Sequence, residues 1–311
     1  MSASFTAGLG SEPTLTPESL LSERLKHAPG VLWHYTTPAG LIGILKQGAL
    51  RATGLAFLND TSEGRYLNEL ILEQLSEMTS VEGLPLFRSV FEEQMRELGV
   101  VCMCENGDLL SQWRGYSTGG GFAIGFSCKE LLDYWEVKRS EGVFAPVDYS
   151  PETSAQMARK NAGGVADAWR HLLPLGLDTF PSVREGKNTI YQSELDEVMS
   201  RWPDFTRLVS GHILMSGFYK DRHFAEEKEW RLVTALRTEP ANTEVGVGAS
   251  GLSVFRTVGF QASPTSTPIH EIRIGPGLDK DSQTQALRLF LDSLGYSGIE
   301  ISASDIPYRA T

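Results

Sequence analysis

Three segments of the chain gather polar and aromatic side chains where strand patterns begin or end. Trp33-His34-Tyr35-Thr36 closes an apolar run. Ser111-Gln112-Trp113-Arg114-Gly115-Tyr116 lies between two apolar runs, and Glu227-Lys228-Glu229-Trp230-Arg231 opens another. Residues two apart in a strand share a face, so Glu227 and Glu229 are expected to bring two carboxylates together. Like charges in proximity cost energy unless a cation or a hydroxyl-rich ligand stands between them. Arg231 has the same parity and is a ready cation. The plainer reading is a solvated acidic patch, Glu226-Glu227-Lys228-Glu229, together with a strand-end histidine that bonds only backbone.

Other chemistry is less well supported. Gly115-Tyr116-Ser117-Thr118-Gly119 matches G-x-S-x-G, the nucleophile elbow of serine hydrolases. An elbow needs a strand directly before the serine and a helix directly after it. Here a polar stretch precedes the serine, and the strand-like Phe122-Ala123-Ile124 follows. A serine hydrolase at Ser117 therefore stands as an alternative, with a Gly-rich turn preferred. His270-Glu271 begins H-E-x-x-H, but Ile274 occupies the place of the second histidine. There is no Walker-type phosphate loop. Six histidines and three cysteines offer no ligand spacing, so no metal is expected.

The elements that must position these groups follow from periodicity. After His34-Tyr35-Thr36 comes a helix pattern with Leu41, Ile44 and Leu45, closed by Gly48. Apolar spacings of three and four predict helices at 63–78 and 85–98. Further helices fit 17–27, 152–173, 192–219 and 279–294. Strands fit 99–104, 122–126, 252–261, 269–275 and 298–302, with another opening at Glu229; SQWRGYSTGGG and 237–251 read as loops. Strands and helices alternate without an even βαβ beat, which argues for an α+β fold. Residues 1–14 are expected to be a disordered leader, and 15–311 one domain with a helical insertion at about 150–220.

Composition bounds the class. The chain has 311 residues, 41% apolar and 22% charged, as in globular proteins with a substantial core. No apolar run is long enough for a membrane span, and the N-terminus lacks the pattern of a secretory signal. A net charge of −11 argues against a nonspecific nucleic-acid binder. Cys102, Cys104 and Cys128, odd in number and without C-x-x-C, fit a reducing cytoplasm.

The residues also carry a family resemblance. His34-Tyr35-Thr36 followed by Leu41-x-x-Ile44-Leu45-x-x-Gly48-x-Leu50 resembles the opening of ADP-ribosyltransferase-like families, the DarT-type DNA ADP-ribosyltransferases among them. Over roughly residues 30–305 the chain resembles the domain-of-unknown-function 2971 family. The segments that carry this are Phe57-Leu58-Asn59-Asp60 with Glu63, Cys102-Met103-Cys104-Glu105 and Trp113-Arg114-Gly115-Tyr116. Gly121-Phe122-Ala123-Ile124-Gly125-Phe126, Lys220 and Glu227-Lys228-Glu229-Trp230-Arg231 complete the pattern. Leu58 interrupts the usual Phe-Asn-Asp adjacency, and Cys104 stands where serine is common.

The resemblance implies an ADP-ribosyltransferase-like split, mixed or antiparallel sheet with flanking helices. It implies NAD as substrate and a toxin or phage-defence effector whose acceptor is a nucleic acid, a protein or a small molecule. On that reading His34 bonds a ribose hydroxyl, Tyr35 and Tyr116 shape the nicotinamide pocket beside Trp113, and Thr36 and Ser111 bond ribose or amide. Glu229 stabilises the sugar cation and Glu227 orients or deprotonates the acceptor. Arg51, Arg114 or Arg231 meets the pyrophosphate, and Asn59 and Asp60 contact the ligand or cap the next helix. A non-catalytic nucleotide sensor on the same scaffold, signalling through a partner or by self-association, is the other expectation.

Overall fold

In the computed structural model, ten strands among the described residues form one sheet whose central strand has three partners. The structure describes residues 26–58, 64–78, 84–116, 120–137, 142–172, 211–236, 243–248 and 251–308, with Pro203 and Val209 besides. The expected helices at 17–27 and 192–219 lie wholly or largely outside these residues, as do Asn59, Asp60 and Ser117.

The central strand is β3 (Leu98–Cys104). Strand β6 (Glu229–Ala235) pairs along its whole length, from Leu98↔Ala235 to Cys104↔Glu229. The other edge of β3 is divided between two strands. Strand β2 (Ala49–Gly54) takes Gly99 and Val100, and β1 (Val31–Thr36) meets it only through Trp33↔Cys104. The Val101–Met103 stretch lies between these two pairings.

From β1 the sheet continues through β4 (Phe122–Ser127) and β9 (Ile269–Ile274) to β10 (Glu300–Ala303), which runs parallel to β9. From β2 it continues through β8 (Gly251–Gly259) to β7 (Thr243–Gly248), and β5 (Val143–Pro146) lies on the far side of β6. The class is therefore α+β, with a mixed, mostly antiparallel, open sheet and flanking helices.

Alternation along the strands sends side chains into two main cores. Leu32, Met103, Ile124, Trp230 and Leu232 face one core. It is covered by α1 (Pro38–Gln47), by a helix at Cys128–Val137 and by a helix at Lys280–Leu294. Thr37 caps α1 by accepting the Gly40 amide, and Gly48 ends it at φ 60°. On the other face Val100 and Val233 pack beneath helices Arg65–Met78, Leu84–Arg96 and Pro151–Leu172. Of the helical insertion expected at about 150–220, the described residues Met157, Ala158, Ala162 and Val165 join Leu67 and Ile71 in this core.

Parts of two stretches read as loops are regular structure among the described residues. Leu110–Tyr116 is a two-turn helix, too short for its periodicity to stand out from neighbouring glycines. Residues 243–248 pair with β8 as a hairpin. The sequence here, Gly246-Val247-Gly248-Ala249-Ser250-Gly251, is a G-x-G-x-x-G string whose first and last glycines lie in β7 and β8. It joins strand to strand, whereas a dinucleotide site needs a strand-to-helix turn.

Gly142 sets the start of β5 at φ 138°, where a Cβ would lie 2.3 Å from the Val233 carbonyl oxygen. Gly142→Ala is expected to destabilise the protein by about 2–3 kcal/mol, read from urea unfolding. An unchanged midpoint would show that β5 docks on β6 with less constraint than this geometry implies.

Candidate functional site

His34 meets the sheet at the Val101–Met103 stretch of β3, between the β2 and β1 pairings. His34 Nδ1 lies 2.9 Å from the Cys102 carbonyl oxygen. A carbonyl only accepts, so Nδ1 carries the hydrogen and Nε2 is the acceptor nitrogen. Burial, the larger influence, holds the imidazole below its ordinary value of 6.5, against the opposing pull of the Cys102 bond. His34 is thus a neutral, oriented acceptor at neutral pH.

Across β3, register places Glu229 beside Cys104 and Arg231 beside Cys102. Glu229 is 4% exposed and Arg231 fully buried, with Arg231 Nη2 2.7 Å from Glu229 Oε2. Arg231 Nη1 donates to the Gly217 carbonyl at 2.9 Å. Lys220, also buried, stands 2.8 Å from Glu227 and 3.5 Å from Glu229. It is set there by backbone bonds that join Asp148 to Phe218 and Lys220. The Tyr149 hydroxyl accepts the Glu229 amide at 3.0 Å. Burial is the largest influence on the Glu229 carboxyl and pushes it up. Arg231 and Lys220, helped by bonds from Arg231 and Cys102, outweigh it and hold the group below the usual carboxylate range.

Glu227 and Glu229 do come together, but not by strand parity. Glu227 ends a 3-10 turn at Arg222–Glu227, and Lys228 then adopts φ 42°, the one positive φ among described non-glycine residues. That turn brings Glu227 back to Lys220. A left-handed lysine costs roughly 1–2 kcal/mol, which the surrounding bonds must offset.

A cavity of about 40 Å³ opens between these groups. His34, Glu227 and Glu229 line it, with Tyr35, Gln112 and Tyr116. Gln112 and Tyr116 lie four apart on one helix, so they share a face. Trp33, Cys102 and Cys104 complete the wall. Burial, reinforced by Glu229 and Glu227, pushes the Cys104 thiol well above its ordinary value, so it is not a thiolate nucleophile at neutral pH. Among the described residues no group of His, Cys, Asp or Glu has the geometry of a metal site.

Several expected contacts fall elsewhere. Trp113 is 1% exposed; one helical step from Gln112 turns it into the core, where its Nε1–H donates to Asp108. Ser111 turns outward to solvent. Thr36 ends β1 outside the cavity wall. Arg51 lies over the Phe255 ring at 4.3 Å, on the β2–β8 side of the sheet. The guanidinium of Arg231 is engaged by Glu229 and Gly217, so it serves as a fixed counter-ion rather than a pyrophosphate contact. Arg114 lies over the Tyr308 ring at 5.2 Å. The Tyr35 hydroxyl donates to the Asn106 carbonyl and accepts the Leu109 amide, tying down the loop before the Gln112 helix. Gln112, Tyr149, Cys102 and Cys104 were not foreseen as site residues, and Lys220 was noted only as part of a family pattern.

The fold and site define an open-sheet α+β protein with a buried ion cluster facing a neutral histidine. Residues 112–232 match the family described as "Protein of unknown function (DUF2971)". This is the family the sequence pattern resembles, and the matched stretch holds Gln112, Tyr116, Lys220, Glu227, Glu229 and Arg231, with His34 ahead of it. No curated protein and no solved structure matches the chain. The likeness to DarT-type transferases thus rests on the sequence pattern alone.

The state of His34 has a pH signature. The unfolded chain takes up a proton near 6.5 that the folded site resists, so stability falls as pH drops below that value. His34→Asn, whose amide can still donate to Cys102, is expected to flatten the decline in Tm between about pH 7 and pH 5. Parallel wild-type and variant curves would contradict a neutral, buried His34.

Proposed function

We propose that the chain is an NAD-dependent, mono-ADP-ribosyltransferase-like enzyme. The observation that carries this reading is that His34 and Glu229, from strands on opposite edges of β3, line one cavity together with Glu227 and Tyr116. Cleavage of the nicotinamide–ribose bond sends the electron pair out with nicotinamide and leaves oxocarbenium character on the sugar. A preformed anion beside that carbon lowers the barrier. Glu229 is the group held ionised for this role. Glu227, on the same lysine, takes the proton from the acceptor as its bond to the ribose carbon forms. His34 Nε2 accepts from a ribose hydroxyl, and the Tyr116 ring packs on nicotinamide.

The cavity accommodates water-sized groups rather than a nicotinamide riboside. Binding on this reading therefore displaces the Tyr116 ring, which is 38% exposed. The acceptor is a nucleic acid, a protein or a small molecule, and the setting is a cytoplasmic toxin or phage-defence effector. No helix among the described residues is long and apolar enough to cross a membrane.

A second reading is a nucleotide sensor without turnover. The feature favouring it is that Arg231 and Lys220 already balance the Glu229 charge. Mass spectrometry for ADP-ribose on nucleic acid and protein, with NAD consumption measured alongside, separates the two. The enzyme reading expects turnover that Glu229→Gln lowers by roughly 100-fold or more while folding is retained. NAD binding without cleavage would support the sensor, and protein that neither binds nor cleaves NAD would remove both.

A further inference from the structure

A cavity larger than the one at the His34–Glu229 site lies away from it, between helices Arg65–Met78 and Leu84–Arg96. It measures about 240 Å³, against about 40 Å³ at the site. Its floor is apolar, formed by Leu55, Leu72, Phe91 and Met95, all buried. Its lining also includes the exposed Arg65, Arg88 and Arg96, with Glu69 and Glu92. Arg88 grips Glu69 through two bonds of 2.6 and 2.9 Å, so that pair cancels. Among the described lining residues, two arginines then face one glutamate. In a chain of net charge −11, such a locally cationic rim selects an anion.

One wall residue leads inward. Asn68 Oδ1 accepts the hydroxyl of the fully buried Ser216 at 2.5 Å. The next residue, Gly217, gives its carbonyl to Arg231, which holds Glu229. A continuous run of hydrogen bonds and backbone therefore joins this cavity to the carboxylate of the candidate site.

We propose that this cavity is a second ligand site, for a small amphiphile with an apolar body and an anionic head, whose occupancy is sensed at Glu229 through Asn68, Ser216, Gly217 and Arg231. The apolar floor takes the body, and Arg65 and Arg96 take the head. The proposal goes beyond the transferase reading and does not require NAD.

Amide NMR with octanoate and 1-octanol as probes tests it on the whole chain. Octanoate is expected to give saturable shifts at 55–58, 65–72 and 88–96, and also at Ser216, Gly217 and Arg231. Octanol should bind roughly tenfold more weakly, and the Arg65→Ala/Arg96→Ala double variant should lose about the same factor for octanoate alone. Leu72→Trp, which fills the floor, should abolish binding; because it also burdens the helix pair, the exposed arginine variant carries the decision if it misfolds. No saturable shift, equal binding of octanol, or an unaffected arginine variant would overturn the site. Shifts that stop at Asn68 would overturn its link to Glu229.

Discussion

A carboxylate that is 4% exposed stays ionised only if cations stand against it, and much of the site follows from how Glu229 meets that condition. Arg231 lies two residues on along the same strand face, so the alternation of β6 supplies the first cation. Lys220 comes from elsewhere and is fixed by the backbone bonds between Asp148 and Phe218–Lys220. The β3–β6 register holds the arrangement, because a one-residue slip would send Glu229 and Arg231 to the apolar face that Trp230 and Leu232 occupy. Buried ion clusters are weak contributors to stability compared with apolar groups of similar size. This one lines the cavity of the candidate site and has a left-handed Lys228 beside it.

The other half of the site comes from the way two strands share one edge of β3. Strands β1 and β2 share one edge of β3 but meet only its two ends. Between those ends the Cys102 carbonyl accepts from His34 Nδ1 at 2.9 Å. That hydrogen bond fixes which ring nitrogen is the acceptor. The same strand passes Cys102 and Cys104 beneath Arg231 and Glu229, so β3 is the spacer across which histidine and carboxylate share a cavity.

Much of this was legible in the sequence. Long apolar periodicities marked helices such as Arg65–Met78 and Lys280–Leu294, and polar groups at strand ends marked His34 and Glu229. The pairing of Glu227 with Glu229 was reached by the wrong route, since parity says nothing of a left-handed turn at Lys228. The helix Leu110–Tyr116 was read as a loop; without it Gln112 and Tyr116 could not be seen to share a face, nor Trp113 to turn into the core. Tyr149 and Lys220 join the site through chain crossings that leave no periodic trace. Arg51 was a reasonable phosphate partner by type, and only the placement of β2 against β8 removes it.

The central claim is that His34 presents Nε2 as an acceptor to a ligand shared with Glu229. Nitrogen-15 NMR of the imidazole ring, at pH 6.5 and then with NAD added, tests this most directly. The account predicts a neutral ring with hydrogen on Nδ1 and an Nε2 resonance that moves as NAD saturates. A protonated ring, the opposite tautomer, or an Nε2 resonance unmoved by saturating NAD would contradict it.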